Sequence, residues 1–449
     1  MLLAIVALLT GLAIRLLRRW PRLVFAGVLV GAALLGLILA TAPNTQLSFV
    51  GRTLALDAGA RAFLWLAIGS ASALACFGAL AFEQGADTPA AIIANSQGAF
   101  LFWSLAPIIV AIALDSFPLA VFFWAMGLIV LMLMATPRRE GHAGGAAQFL
   151  LLTVVAVACL LLSNRLFDLY PLTPENPDLA RNAVIFLTIG LGLMLSAVPF
   201  HLWLGPLADE MPPLGVAFLV GVAQPVGIWL LFQRMSDVLW LTDRSPLLTV
   251  LLFGGAFTAS IGALLAVPEK RDGRFIAFLS LVSLGHALVG LGLGTRVGLA
   301  GALLMTLNRA VGVALLAGGF AFVRHHAERR WQWLGAASLL AGGFALSGIL
   351  PLLGFAARWS IYRDLAASNF PLVVLLLASS AAALFATLRV VSPLLGDRAE
   401  VENGAVKLVP YLGAAVVIVL FVIVVLTGIF PQLAADSLIA ELGKASYLK

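Results

Sequence analysis

Long apolar runs separated by short polar loops fill the chain from end to end. A helix needs about 20 apolar residues to cross a bilayer, whereas barrel strands are about half as long. In lipid the backbone must hydrogen bond internally, so runs of this length favour helices. The pattern therefore predicts an all-α polytopic membrane protein of about 14 transmembrane helices. The predicted spans are residues 2–17, 23–42, 62–82, 98–114, 118–136, 146–164, 182–204, 213–234, 246–267, 274–293, 298–323, 332–354, 370–394 and 408–430.

Prolines interrupt two of these runs. Pro199 lies near the end of the seventh, and Pro351 lies in LSGILPLLGF of the twelfth. Proline removes a backbone hydrogen bond and clashes with the preceding turn, so helices 7 and 12 are predicted to be broken. Breaks at matching places in two halves are typical of inverted-repeat transporters. Two ordinary proline kinks are an equally good explanation.

An inverted repeat would divide the chain into four parts. Residues 1–97 would hold helices 1–3, and residues 395–449 would hold helix 14 and a tail. Between them, residues 98–234 would form the first repeat, with helices 4–8, and residues 246–394 the second, with helices 9–13.

Composition supports the membrane class and excludes others. Hydrophobic residues make up 62% and charged residues 11% of the chain, and the mean hydropathy is +1.07. Soluble domains carry more than twice that share of charge. The net charge of +6 is explained by loop lysines and arginines and indicates no nucleic-acid partner. Cys76 and Cys159 both lie in apolar runs, so neither a disulfide framework nor a metal cluster is expected.

Basic residues concentrate in the loops that follow odd-numbered spans. Such loops are expected to be cytoplasmic, which places both termini on the outside of the membrane. The first apolar run contains Arg15 and no small-residue cleavage site, so it is interpreted as a mature span rather than a signal peptide. The basic loop residues that carry the orientation are Arg18, Arg19, Arg22, Arg138, Arg139, Lys270, Arg271, Arg324, Arg329 and Arg330.

Several collinear motifs resemble one membrane-protein family. VPFHLWL at 198–204 with Pro212-Pro213, RFIAFLSLVSLGH at 274–286, GALLMTLNRAVGVALL at 301–316 and LFATLRVVSP at 384–393 resemble antiporter-like subunits of respiratory complex I. Mrp-type antiporters and membrane-bound hydrogenases share that family. The resemblance implies fourteen helices, broken helices 7 and 12, and a place in a larger ion-translocating complex.

The family carries protons along a row of titratable residues at mid-membrane depth. The resemblance maps most of those positions onto residues that cannot titrate. The position of the fifth-span glutamate falls on Trp124 or Ala125, and the lysine positions fall on Gln148, Met194, Gln224 and Val313. Arg358 keeps a charge at the twelfth-span position, but arginine stays protonated at all working pH values. The relay is therefore predicted to be degenerate.

Five polar residues remain as candidates for an ion pathway, since ionisable side chains within a membrane mark functional sites by default. They are His286, Arg358, Arg309, His201 and Arg389. A plain interhelical hydrogen bond is the favoured interpretation of His286. A structural role is favoured for His201, either on a carbonyl freed by Pro199 or paired with Asp209 or Glu210. The arginines are expected to bind carbonyls, water, lipid phosphate or an anion.

Three functional hypotheses follow. The first is a scaffold or docking subunit of a complex I-like or Mrp-like complex in the inner membrane, with other membrane subunits as partners. The second is an active proton- or ion-coupled transporter, for example one for inorganic carbon with a soluble partner, that uses the remaining histidines and arginines. The third is an ordinary pump subunit whose relay lies at positions other than the mapped ones. No enzyme motif, cofactor site or metal site is expected.

Overall fold

A computed structural model describes most of the 449 residues. The described ranges are 1–18, 20–42, 46–49, 52–80, 89–135, 144–238, 240–241, 246–326, 328–396 and 408–433. Arg19, Arg138 and Arg139, which contributed to the predicted orientation, lie outside them. So does most of the C-terminal tail predicted for residues 395–449.

The first half of the chain is helical apart from one hairpin. Strands β1 (Gln46–Phe49) and β2 (Arg52–Ala55) pair antiparallel between the second and third helices, and they are the only strands in the described part of the chain. The helices are α1 (Leu2–Leu16), α2 (Pro21–Thr41), α3 (Ala58–Leu80), α4 (Pro89–Ala113), α5 (Phe117–Met132), α6 (Gly145–Leu169), α7 (Pro177–Leu195), α8 (Leu204–Glu210), α9 (Pro213–Phe218) and α10 (Gln224–Asp237).

The described residues of the second half form seven helices. They are α11 (Leu247–Ala266), α12 (Asp272–Gly292), α13 (Arg296–His325), α14 (Arg329–Ser347), α15 (Leu353–Ser368), α16 (Phe370–Val391) and α17 (Leu408–Ile429). In the described chain, ten helical segments are long and apolar enough to cross a membrane, and three shorter helices are apolar as well. The all-α polytopic class is thereby confirmed. The count of about 14 spans and the four-part division stay predictions.

The central helices are enclosed by the others. The segment from Pro213 to Asp237 and α12 are entirely buried over their most apolar windows, whereas α2, α6, α16 and α17 expose most of theirs. Close contacts between central helices rest on glycines. A Cβ at Gly255 of α11 would lie 2.7 Å from the Gly285 carbonyl of α12, and one at Gly342 of α14 would lie 2.6 Å from the Gly312 carbonyl of α13. Small residues allow helix backbones in membranes to approach this closely.

Candidate functional site

The two proline breaks have the same backbone geometry. Helix α7 ends at Ser196 with φ of 58°, and α14 ends at Gly348 with φ of 81°, both in the left-handed region. Three residues later each chain segment reaches its proline, and Val198–Pro199 and Leu350–Pro351 are both cis. The predicted breaks at Pro199 and Pro351 therefore lie at corresponding points of two similar turns.

Backbone hydrogen bonds repeat between the breaks as well. The Ala197 amide donates to the Gly192 carbonyl over 3.0 Å, and the Ile349 amide donates to the Phe344 carbonyl over the same distance. The Phe200 amide donates to Ala197, and the Leu352 amide donates to Ile349. This correspondence supports an inverted repeat, which nevertheless stays a prediction for the chain as a whole.

Side chains donate hydrogen bonds to the backbone carbonyls that lose their helical partners at the breaks. At the first break, Trp203 Nε1 donates to the Leu193 carbonyl at 2.9 Å, and Gln224 Nε2 donates to the Met194 carbonyl at 3.3 Å. A buried carbonyl without a donor is costly, so these bonds stabilise the open end of α7. Gln224 Nε2 also donates to Ser196 Oγ at 3.1 Å.

The second break uses different donors for the same positions. Asn308 Nδ2 donates to the Ala345 carbonyl at 2.9 Å, and the Arg358 guanidinium donates to the Leu346 carbonyl. Arg358 lies directly against Gly348, where a Cβ would come within 2.7 Å of its Cδ. Gln224 and Arg358, both predicted at former lysine positions, thus hold equivalent carbonyls at the two breaks.

Three of the predicted relay positions meet beside α10. Trp124 is fully buried, and its Nε1 donates to the Ala223 carbonyl at 2.7 Å, next to Gln224. Gly227 provides the space for the indole, because a Cβ there would lie 2.6 Å from Trp124 Cη2. Met194 is buried and supplies the carbonyl that Gln224 binds. Trp124, Met194 and Gln224 therefore form one relay cluster of non-titratable side chains.

Of the other mapped positions, Val313 and Ala125 adjoin that cluster and Gln148 lies away from it. Val313 is buried against Gly221, where a Cβ would lie 2.5 Å from Val313 Cγ2. Ala125 is buried in α5 next to Trp124 in sequence. Gln148, in the first turn of α6, is exposed and faces away from the protein interior. The mapped positions thus do not form a continuous row in space.

Arg309 links the two halves of the molecule. Its guanidinium on α13 donates to Gln224 Oε1 and, at 3.4 Å, to Ser280 Oγ of α12. Only 2% of Arg309 is exposed. A buried guanidinium is tolerated when its hydrogen bonds are made, so Gln224 serves both as its acceptor and as the donor to the broken helix.

His286 belongs to a short hydrogen-bonded chain in the second half. Its Nδ1 lies 2.7 Å from the Val282 carbonyl, and its Nε2 lies 2.8 Å from the Tyr362 hydroxyl. Tyr362 in turn lies 3.2 Å from Ser380 Oγ on α16. The carbonyl contact fixes the neutral ring with hydrogen on Nδ1, so Nε2 accepts from Tyr362. The favoured interpretation of His286, an interhelical hydrogen bond, agrees with this geometry.

Around these residues lies a set of buried polar atoms that lack a protein partner among the described residues. They share the interior space near the second break and α12, and they are Ser283 Oγ, Asn308 Oδ1, Arg309 Nε, Ser347 Oγ, Arg358 Nε and Arg358 Nη1. Buried groups of this kind are normally satisfied, so the region is polar enough to hold water.

The pairing considered for His201 is not made. Asp209 pairs with Arg271 at 2.5 Å and approaches Arg274 at 3.9 Å, and its hydrogen bond raises the pKa of the exposed Arg271. Glu210 accepts the Gly145 amide at 2.6 Å and the Ala146 amide at 2.8 Å. Both carboxylates therefore bind loop and helix-end groups, and Glu210 favours the positive N-terminus of α6.

Arg389 lies outside the relay cluster. Its guanidinium donates to the Glu269 carbonyl in the loop before α12, which fits the expected carbonyl contact. In the part of the chain that the structure describes, no three His, Cys, Asp or Glu side chains are grouped closely enough to hold a metal ion.

The sequence alone did not point to several residues of this site, among them Trp203, Ser280 and Tyr362. Trp203 lies inside VPFHLW, so the motif itself carried a signal for it. Ser280 precedes His286 on the same helix, and its hydroxyl faces Arg309. Tyr362 follows the break in a stretch where Arg358, Arg363 and Asp364 lower the hydropathy, and it was not assigned to a helix.

A family model for the transmembrane part of NADH:quinone oxidoreductase and Mrp antiporter matches residues 113–386, more than half of the chain. NADH-quinone oxidoreductase subunit N of Desulforudis audaxviator is 28% identical over 314 residues. That match covers 64% of this chain and 62% of the relative, so the chain spans less than two thirds of the relative's length.

Two solved structures share the fold. A chain of the Mrp complex from Dietzia sp. superposes with a TM-score of 0.82, covering 99% of this chain and 52% of that one. A chain of respiratory complex I from Thermus thermophilus gives a TM-score of 0.77, covering 99% of this chain and 100% of that one. Each is 18% identical to this chain.

Proposed function

The chain belongs to the NADH:quinone oxidoreductase and Mrp antiporter family of membrane subunits, and we propose that it is a subunit of such a complex that does not itself conduct protons. It is a multi-pass membrane protein, and its place is the inner membrane. Its task is to scaffold or dock neighbouring subunits, which the retained fold and the degenerate relay both support.

One observation carries the proposal. At the first break, three positions that the resemblance assigns to titratable residues hold Trp124, Met194 and Gln224, and the Trp124 and Gln224 side chains donate to the Ala223 and Met194 carbonyls. A proton relay needs groups that gain and lose a proton near the working pH. Indole, thioether and amide side chains do neither, and here the indole joins α5 to the residue before α10 while the amide joins α10 to α7.

The remaining charges support the same interpretation. Arg309 and Arg358 are almost fully buried and donate to Gln224 and to the Leu346 carbonyl. Arginine does not release its proton at working pH, so these residues are fixed charges. Their contacts stabilise the broken helices rather than connect one side of the membrane to the other.

The partners are other membrane subunits. The Dietzia and Thermus structures that share this fold are the Mrp complex and respiratory complex I. Helices α6, α16 and α17 expose large apolar side chains such as Leu151, Phe385 and Phe421. In a membrane these faces are suited to a neighbouring subunit or to lipid.

A second candidate function rests on the His286–Tyr362–Ser380 chain. His286 is the one titratable side chain within the described interior whose ring joins two helices through hydrogen bonds. With the polar atoms near the second break, it supports proton- or ion-coupled transport by another route, in which a soluble partner could take part.

Reconstitution in liposomes separates the two. The purified protein is placed in vesicles containing a pH-sensitive dye, and a proton or sodium gradient is imposed. We expect a flux equal to that of empty vesicles for the wild type and for His286→Ala. A flux above that level which His286→Ala abolishes would reject the non-conducting subunit and support the transporter.

Affinity purification from the native membrane with mass spectrometry of partners tests the docking role, and isolation as a stable lone monomer would contradict it.

A further inference from the structure

A cleft of about 660 Å³ opens between four helices. Its walls come from α2, α3, α13 and α17. They are aliphatic and aromatic almost throughout, for example Phe25, Phe63, Leu303 and Val416. Ser70 and Ser72 of α3 are the only hydroxyl groups among the lining residues. The cleft therefore suits an apolar occupant.

The cleft is long and narrow. On α3 its lining residues run from Ala62 to Cys76, and on α17 they run from Leu412 to Ile423. At 1.5 Å per residue these stretches are about 21 and 16 Å long, which exceeds half of a hydrocarbon core of about 30 Å. A single acyl chain fits a cleft of this length.

One end of the cleft is flanked by basic side chains. Arg22 is exposed in the first turn of α2, three residues before Phe25. Arg330 forms an ion pair with Glu328 at 2.6 Å and donates to the Tyr411 hydroxyl at 2.7 Å, and Tyr411 precedes Leu412 of the lining. The start of α17 lies beside the end of α3, because a Cβ at Gly413 would come 2.8 Å from Leu80 Cδ2. Arg22 and Arg330 thus lie at the same end of the cleft.

We propose that this cleft binds an anionic phospholipid, with one acyl chain along α3 and the phosphate beside Arg22 and Arg330. Acyl chains are as apolar as leucine, so burial alone does not select a lipid from the bilayer. The net negative charge of the headgroup supplies the selectivity, because basic residues at the membrane surface attract anionic lipids more strongly than zwitterionic ones. The site is independent of whether the chain conducts protons.

Gly69 lines the cleft, and its lack of a side chain leaves the cleft open. A larger residue at this position therefore tests the proposed site. A Cβ at Gly69 would meet no atom within 4 Å, so a larger side chain there enters the cleft without displacing protein. Gly254 on α11 is also free of atoms within 4 Å of its Cβ position, and it lies outside the cleft. Gly69→Leu and Gly254→Leu therefore make the same change on lipid-facing surface, one inside the site and one elsewhere.

Native mass spectrometry in mild detergent measures bound lipid on the delipidated full chain after addition of phosphatidylglycerol or phosphatidylcholine. For the wild type we expect one tightly held phosphatidylglycerol and weaker phosphatidylcholine. Gly69→Leu should weaken phosphatidylglycerol binding at least tenfold, and Gly254→Leu should leave it unchanged. Arg22→Gln should lower it about fivefold and change phosphatidylcholine binding less, as expected when one basic residue is lost beside a headgroup of net negative charge.

The outcomes are decisive in both directions. Equal phosphatidylglycerol binding by the wild type and a folded Gly69→Leu protein would overturn the site. So would equal affinity for the two lipids, or recovery of an isoprenoid instead of a phospholipid from the native membrane. If Gly69→Leu does not elute as a single species, Arg22→Gln, which changes only an exposed side chain, decides the question by itself.

Discussion

At position 124 an indole fills the space between α5 and α10, and its nitrogen donates to the Ala223 carbonyl. Because an indole does not titrate, the residue type alone predicts that no proton can be carried at position 124. The contact partner could not be predicted, because 99 residues separate Trp124 from Ala223. Gly227 gives a faint signal of the large neighbour, since glycine inside a helix is otherwise unfavourable.

The same limit applies to Gln224 and Arg309. The sequence identified both, one as a former lysine position and one as a residual charge, but offered no reason to join residues 85 positions apart. It also left His201 with three candidate partners, namely a carbonyl freed by Pro199 and the carboxylates of Asp209 and Glu210. Asp209 and Glu210 instead bind Arg271 and the start of α6, because loops distant in sequence meet at that membrane face.

Removing Gln224 is expected to be costly because Arg309 depends on it. Gln224→Leu leaves a buried guanidinium with only the longer contact to Ser280 Oγ and should lower the free energy of unfolding by about 3 kcal/mol. Arg309→Met alone should cost about 1–2 kcal/mol, through the unpaired amide oxygen. The double variant should lose less than the sum, since it removes both partners. Titration with sodium dodecyl sulfate measures each value.

Arg363, exposed on α15, supplies the control for that cycle. Gln224→Leu combined with Arg363→Gln should be additive, because distant sites do not couple. Additive losses for Gln224 and Arg309 as well would contradict the proposed link between the two halves.

At the scale of elements, the lengths of the hydrophobic runs predicted which segments are helical. They predicted less well where each helix ends. The twelfth run was expected to end at residue 354, yet α15 continues from Leu353 to Ser368 after the break. Arg358, Arg363 and Asp364 make that segment too polar to register as a span. It is held in place by tertiary contacts, such as the one between Tyr362 and His286, which no local pattern encodes.

The left-handed cap of α14 gives a prediction for the second break. Gly348→Ala forces a side chain into φ of 81° and against Arg358. Gly294→Ala, at φ of 65°, meets only the flexible end of Leu248 at 2.9 Å. Both substitutions should cost about 1–2 kcal/mol for the backbone. Gly348→Ala should cost at least about 1 kcal/mol more, because overpacking displaces the guanidinium.

Chemical unfolding of the two alanine variants in the same detergent measures the difference. Equal losses would show that Arg358 is not packed against Gly348 as described. The pair therefore tests the contact on which the cap of the second break depends.

At the scale of the whole molecule, composition and motif order were enough for the class and the family, because both survive substitution at single positions. The hairpin at Gln46–Ala55 was not foreseen, since two strands of four residues leave no periodic signal between long apolar runs. Which helices are enclosed by the others was not predicted either. Helix α12 and the segment from Pro213 to Asp237 have a mean hydropathy of 2.0, below the 2.2 to 3.1 of the peripheral helices α2, α6, α16 and α17, so hydropathy did carry a signal for the central helices.

Orientation is the whole-molecule property that the basic loops predict, and it can be tested directly. With Cys76 and Cys159 replaced by alanine, Lys270→Cys and Glu175→Cys place single thiols in exposed loops on opposite faces. If loops after odd-numbered spans are cytoplasmic, a membrane-impermeant maleimide applied to intact cells should label Glu175→Cys and not Lys270→Cys. In inside-out vesicles the result should reverse. Labelling of Lys270→Cys in intact cells would invert the topology and place both termini in the cytoplasm, because each pair of consecutive spans returns the chain to the same side.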